Sequence, residues 1–230
     1  MSETTPRIID DAGRQLRAPW AASIAGLLFS VLFTASLILI RSQTWLTASD
    51  DELAAAFASG QDFAGVVGGL YLAPFAGIMF LWFVAVVRDQ IGEREDRFFA
   101  TVFFGSGLIF VALLFVSAAV ASAPIVGVRY MGQGSPLATD VGLFRALSYT
   151  VLFAFATRAA GVFLIATATI GLRSGAFPKW VAWTGFALGL VLLVVVTFWD
   201  WAILVLPAWV AVVSIFILLR ERSRSRVEGR

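Results

Sequence analysis

Apolar residues in this chain come in long unbroken runs rather than in the alternation of a strand or the single stripe of a surface helix. Six runs are long enough to cross a bilayer, which takes about 20 helical residues. They are Trp20–Ile40, Gly65–Val87, Ala100–Ala121, Leu143–Ile170, Val181–Phe198 and Ala202–Leu219. Stretches such as LVLLVVVTF show no in–out alternation, so the spans read as helices, which satisfy their own backbone groups in lipid, and not as barrel strands. The first run is too long for the apolar part of a signal peptide, and no small-residue cleavage pattern follows it before Arg41, so it reads as a retained span. The polar segments between runs contain no repeat, low-complexity tract or linker. The pattern predicts an all-α fold: one six-helix transmembrane domain over residues 20–219, between a polar tail at 1–19 and a basic tail at 220–230.

Composition sharpens this. Hydrophobic residues are 60% of the chain and charged residues 14%, against about 25% charged in a typical soluble protein. A water-soluble fold of 24.8 kDa could not hide that much apolar surface. Histidine and cysteine are both absent. Their absence removes disulfides, thiolate nucleophiles, the usual zinc and iron–sulfur sites and histidine acid–base chemistry. No catalytic, metal-ligating or cofactor-binding residue is therefore expected, and no cofactor. A net charge of +2 is too mild to point to nucleic acid.

Charge sets the expected orientation. With the N-terminus inside, the inner segments carry Arg7, Arg14, Arg17, Arg88, Arg94, Arg97, Arg173, Lys179, Arg220, Arg222, Arg224, Arg226 and Arg230. The outer segments carry only Arg41, Arg129 and Arg145. Both termini are accordingly expected in the cytoplasm. Trp20, Trp45, Trp180, Trp183, Trp199 and Trp201 fall near span ends, where an amphipathic indole prefers the headgroup zone.

Several motifs carry more than one reading. Ser49-Asp50-Asp51-Glu52 has the S-x-x-E form of a capping box and predicts a short outer-surface helix near 50–58. Its three carboxylates could instead gather a cation, but capping alone explains the pattern. Gly65–Gly69 and Gly185–Gly189 are GxxxG pairs that let helices approach closely, within the bundle or in a homo-oligomer seam. Pro74 and Pro207 are expected to kink their spans. The alternating charges of Arg88–Arg97 read as a solvated connector. The arginines of the C-terminal tail suit anionic lipid headgroups.

Arg158 is the one charged residue near the middle of a span. A mid-bilayer arginine costs about 2.5–3.5 kcal/mol on insertion scales and faces protein or water. Helical side chains lean toward their own N-terminus, so its guanidinium should reach the outer half, toward a carbonyl or an acid from an outer end. Asp200, in the turn between spans five and six, is the candidate partner. Either the two form a buried ion pair, or Arg158 binds an anionic ligand or lipid.

The stretches PFAGIMFLWFVAVVRDQIGEREDRFFATVFFGSG and ATRAAGVFLIATATIGLRSGAFPKW, with a later FWDW turn and PAWV, resemble a group of uncharacterised bacterial six-span integral membrane proteins. The resemblance covers about Leu72 to Leu219 and implies a multi-pass bundle in the bacterial cell membrane. The group has no assigned activity, so no site role comes with it. On these grounds the expected function is non-enzymatic, acting through packing, lipid or a partner protein. The competing expectation is a small transporter or channel subunit that binds an anionic solute through Arg158.

Overall fold

The computed structural model describes residues 19–42, 48–59, 63–91, 97–175, 178–194 and 201–228. Among these residues there are only helices and turns. Helix α1 spans Pro19–Ser42, α2 Asp50–Ala58, α3 Ala64–Ile91, α4 Arg97–Tyr130 and α5 Ala138–Tyr149. A π-helical segment, Thr150–Ala156, joins α5 to α6, Thr157–Ser174. Helix α7 spans Lys179–Val194, and a short 3-10 turn at Ala202–Leu204 leads into α8, Val205–Glu228.

Five helical stretches are long and apolar enough to cross a membrane: Trp20–Ile40, Ala64–Arg88, Phe98–Tyr130, Ala138–Arg173 and Ala202–Leu219. The expected fifth span, Val181–Phe198, is represented by the 16-residue α7, about 24 Å long. Its remainder lies outside the described residues. Large apolar side chains cover the outside of the bundle: Ile24, Leu28, Val31 and Ile38 on α1, and Phe75, Ile78 and Trp82 on α3, are all exposed. Water is a poor solvent for such faces and lipid a good one. The fold is that of a helical membrane bundle.

Its core is built on phenylalanine. Phe29 of α1, Phe80 of α3, Phe110 of α4 and Phe163 of α6 are fully buried. Phe80 stands at the centre, with ring centroids 4.7 Å from Phe29, 5.2 Å from Phe110 and 5.0 Å from Phe163. Between lipid-solvated helices little hydrophobic force remains, so close packing and hydrogen bonds hold the bundle together. Small residues supply the close packing. A Cβ on Gly69 would lie 2.8 Å from the Ser36 carbonyl of α1, and one on Gly189 would lie 2.8 Å from the Gly161 carbonyl of α6. Gly185 packs on Ala168 and Trp209. These three GxxxG glycines thus face helices of their own chain.

Three expectations need correction. The third span does not end at Ala121. Helix α4 continues through Pro124 to Tyr130, 34 residues in all, or about 51 Å against a hydrocarbon core of about 30 Å. The extension is held by a second apolar cluster of Leu53, Phe57, Val66, Ile125 and Val141, which forms a cap at one end of the bundle. The fourth span is not one regular helix, because the π segment interrupts it, and it starts earlier, at Ala138. Pro207 falls not in mid-helix but in the first turn of α8, which starts at Val205, where a missing N–H is best tolerated. Pro74 does lie inside its helix, α3.

Turns close where the backbone requires glycine. Gly175 ends α6 at φ 64°, and Gly132 turns the chain between α4 and α5 at φ 65°, conformations that Cβ-bearing residues rarely adopt.

Candidate functional site

The cap end is organised by α2. Ser49 accepts a hydrogen bond from the Glu52 N–H at 3.3 Å, while the Glu52 carboxylate accepts one from the Ser49 N–H at 2.7 Å. The capping box expected from the sequence is therefore present. The Ser49 N–H, and then the Ser49 hydroxyl, hold the Glu52 carboxyl below the usual glutamate range. No cation is needed to explain the acidic turn. Among the described residues no group of three His, Cys, Asp or Glu side chains gathers as metal ligands.

Asp50 does something that spacing along the chain does not announce. Its Oδ1 lies 2.5 Å from Nη2 of Arg145 on α5, and Nη1 of the same arginine donates to the Ala48 carbonyl at 2.5 Å. The carboxylate approaches α5 because Gly142, one turn earlier, has no side chain; a Cβ there would strike the Asp50 carboxylate. The pair ties α2 to α5 across 95 residues of sequence.

Beneath this tie is a cavity of about 70 Å³. Single waters need about 10–15 Å³ on the same measure, so it has room for a slender guest several atoms long. Phe33, Leu37 and Ile40 of α1, Leu114 of α4 and Phe153 of the π segment form much of its wall, and Arg145 stands at its cap end. Three serines also line it, Ser36, Ser117 and Ser148. Each hydroxyl is engaged by the protein. Ser36 donates to the Gly69 carbonyl at 2.6 Å. Ser117 and Ser148 donate to each other's carbonyls at 2.9 Å, with their oxygens 3.0 Å apart. Arg145 and Tyr149 apart, the wall is therefore apolar in what it offers a guest.

The π segment shapes one side of the cavity through Leu152 and Phe153. Two side chains brace it. The Thr157 hydroxyl donates to the Leu152 carbonyl at 3.1 Å, a bond to the fifth residue back. Arg158 Nη1 donates to the Ala154 carbonyl. π turns of this kind lie frequently at functional sites.

The predicted site residues fall as follows. Arg158 is half-buried and reaches back toward its own N-terminus to a carbonyl. Asp200 lies outside the described residues, and so do Trp45 and Trp199. Trp20, Trp180, Trp183 and Trp201 are exposed. Arg145, Asp50 as its partner, the three wall serines and the π turn were not singled out as a site by the sequence reading. The one available signal was the presence of serines inside apolar runs, since polar side chains in membrane helices bond across to neighbours. No family model, curated protein or solved structure matches the chain.

Proposed function

We propose that this is a non-enzymatic six-span protein of the cell membrane, with both termini in the cytoplasm, that holds the apolar chain of a lipid in its cap-end cavity. The basic bias of the connecting segments puts the cap, α2 and the cavity on the outer side. The anionic-lipid contact of the C-terminal arginines belongs to the inner surface.

One observation carries the reading. The cavity is walled by apolar side chains, and its three serine hydroxyls already bond to protein carbonyls. Apart from Arg145 and Tyr149, the lining offers no polar side chain beyond these engaged serines, so most of a guest must be hydrocarbon. Arg158, on which an anion carrier would rest, lines neither this cavity nor the surface groove beside Gly127 and Gln133.

Magnitudes agree with occupancy. A chain moving from bilayer to protein gains little hydrophobic energy, because both surroundings are apolar. Filling an otherwise empty space recovers packing instead, at about 24 cal/mol per Å³, or about 2 kcal/mol for this volume. That suffices where lipid chains are the solvent. The test is to substitute Ala118, which lines the cavity, with phenylalanine, and to count lipids retained by native mass spectrometry. Wild type is expected to keep one tightly held lipid per chain and Ala118→Phe to lose it. Equal retention by the two proteins would refute the reading.

A further inference from the structure

We propose that the cavity's mouth selects a zwitterionic phospholipid whose headgroup carries a primary amine, an inference that rests on the lipid-chain reading above. Arg145 both lines the cavity and pairs with Asp50 at 2.5 Å. The pair is not sealed: the Asp50 side chain is 41% exposed and that of Arg145 22%. Asp51 and Glu52, exposed on the same first turn of α2, add negative charge beside it.

A lipid seated with its chain in the cavity brings its phosphate to Arg145. Where that phosphate takes over Nη2 of Arg145, it displaces Asp50 from it, and the freed carboxylate then needs a new cation. A headgroup with both a phosphate and an ammonium makes the exchange complete. Arginine pairs with phosphate, Asp50 with ammonium, and no charge is left alone. An anionic glycerol headgroup offers the phosphate but leaves Asp50 uncompensated among two further acids. A quaternary choline headgroup carries the positive charge but no N–H, so it cannot donate the charge-assisted hydrogen bond that a carboxylate accepts from a primary ammonium.

Three lipids with identical dioleoyl chains test this on the full-length protein in detergent: phosphatidylethanolamine, phosphatidylcholine and phosphatidylglycerol, compared in equal mixtures by native mass spectrometry. The ethanolamine lipid is expected to be retained about tenfold over either competitor, the discrimination that one charge-assisted contact supplies. Asp50→Asn should abolish that preference, and Asp50→Glu should largely preserve it. Retention of all three lipids alike by wild type, or a preference for the glycerol lipid, overturns the headgroup proposal and leaves the chain reading standing. Retention of none overturns both. If Asp50→Asn does not fold, the ethanolamine-to-choline ratio on wild type decides alone, and parity there is fatal.

Discussion

Gly161 of α6 and Gly189 of α7 face each other so closely that a methyl group on either would lie 2.8 Å from the other's carbonyl oxygen. Gly185, one turn earlier on α7, packs on Ala168 and Trp209, and the two glycines together let α7 seat on α6. Gly189→Val should therefore destabilise the fold by about 1–3 kcal/mol, the usual penalty for overpacking. Gly105→Ala serves as the control, since nothing lies within 4 Å of a Cβ at that position. Thermal unfolding in detergent should show a clear loss for the first and none for the second.

Helix α2 should respond to pH through its cap. Glu52 is held below the usual glutamate range by the Ser49 N–H and hydroxyl. A depressed carboxyl contributes stability that is present above its unfolded value and is lost as pH falls through the folded one. Protection factors over Asp50–Ala58, with the intrinsic pH dependence of amide exchange divided out, should accordingly fall as pH is lowered through and below the usual glutamate range. Glu52→Gln should remove that pH dependence. Ser49→Ala, a lost N-cap at about 0.5–2 kcal/mol, should quicken exchange at neutral pH while leaving membrane insertion intact.

Much of this fold is legible in the sequence because a bilayer imposes a single rule on it. Long apolar runs must be helices, so Trp20–Ile40 and Gly65–Val87 agree within a few residues with the stretches Trp20–Ile40 and Ala64–Arg88. Ser49 and Glu52 announced α2 because capping is local chemistry, complete within four residues. Hydropathy fails where helices leave the lipid. Ile125 and Val128 lengthen α4 only because Val66 and Val141 come to meet them, and no local pattern records that. The candidate site is less legible still. Arg145 and Asp50 are 95 residues apart, Ser117 and Ser148 are 31 apart, and the π turn at Thr150–Ala156 leaves the hydropathy of its run unchanged. Such pairings are products of the tertiary fold, not of spacing.

Arg158 braces the π turn, and its substitution should separate local from global effects. Arg158→Met loses a hydrogen bond from a charged group, worth about 1.5–3 kcal/mol. It also removes the cost of holding a guanidinium at depth, about 2.5–3.5 kcal/mol. The two offset, so the unfolding temperature should change little. Exchange at Thr150–Thr157 should nonetheless quicken several-fold. A double-mutant cycle with Asp200→Asn reads the remaining question: coupling above about 1 kcal/mol marks the ion pair, and additivity marks an arginine satisfied by its own helix.

Orientation can be read by chemistry the chain lacks. With no native cysteine, single cysteines at Ser59 and Ser135, both exposed at the cap end, should react with an impermeant thiol reagent in intact cells. A cysteine at Ser223 should not. Labelling at Ser223 alone would invert the topology and move the cavity to the inner leaflet.

The claim that the cap-end cavity houses a lipid chain is tested most directly by photocrosslinking in proteoliposomes, using a phospholipid with a diazirine in its acyl chain. Adducts mapped by mass spectrometry should concentrate on the cavity wall, at Leu114, Ala118 and Phe153. They should also fall sharply when Ala118 is replaced by phenylalanine. Adducts confined to the exposed faces, at Leu108, Ile109 and Val116, and unchanged by that substitution, would show that lipid only surrounds the protein and would contradict the account.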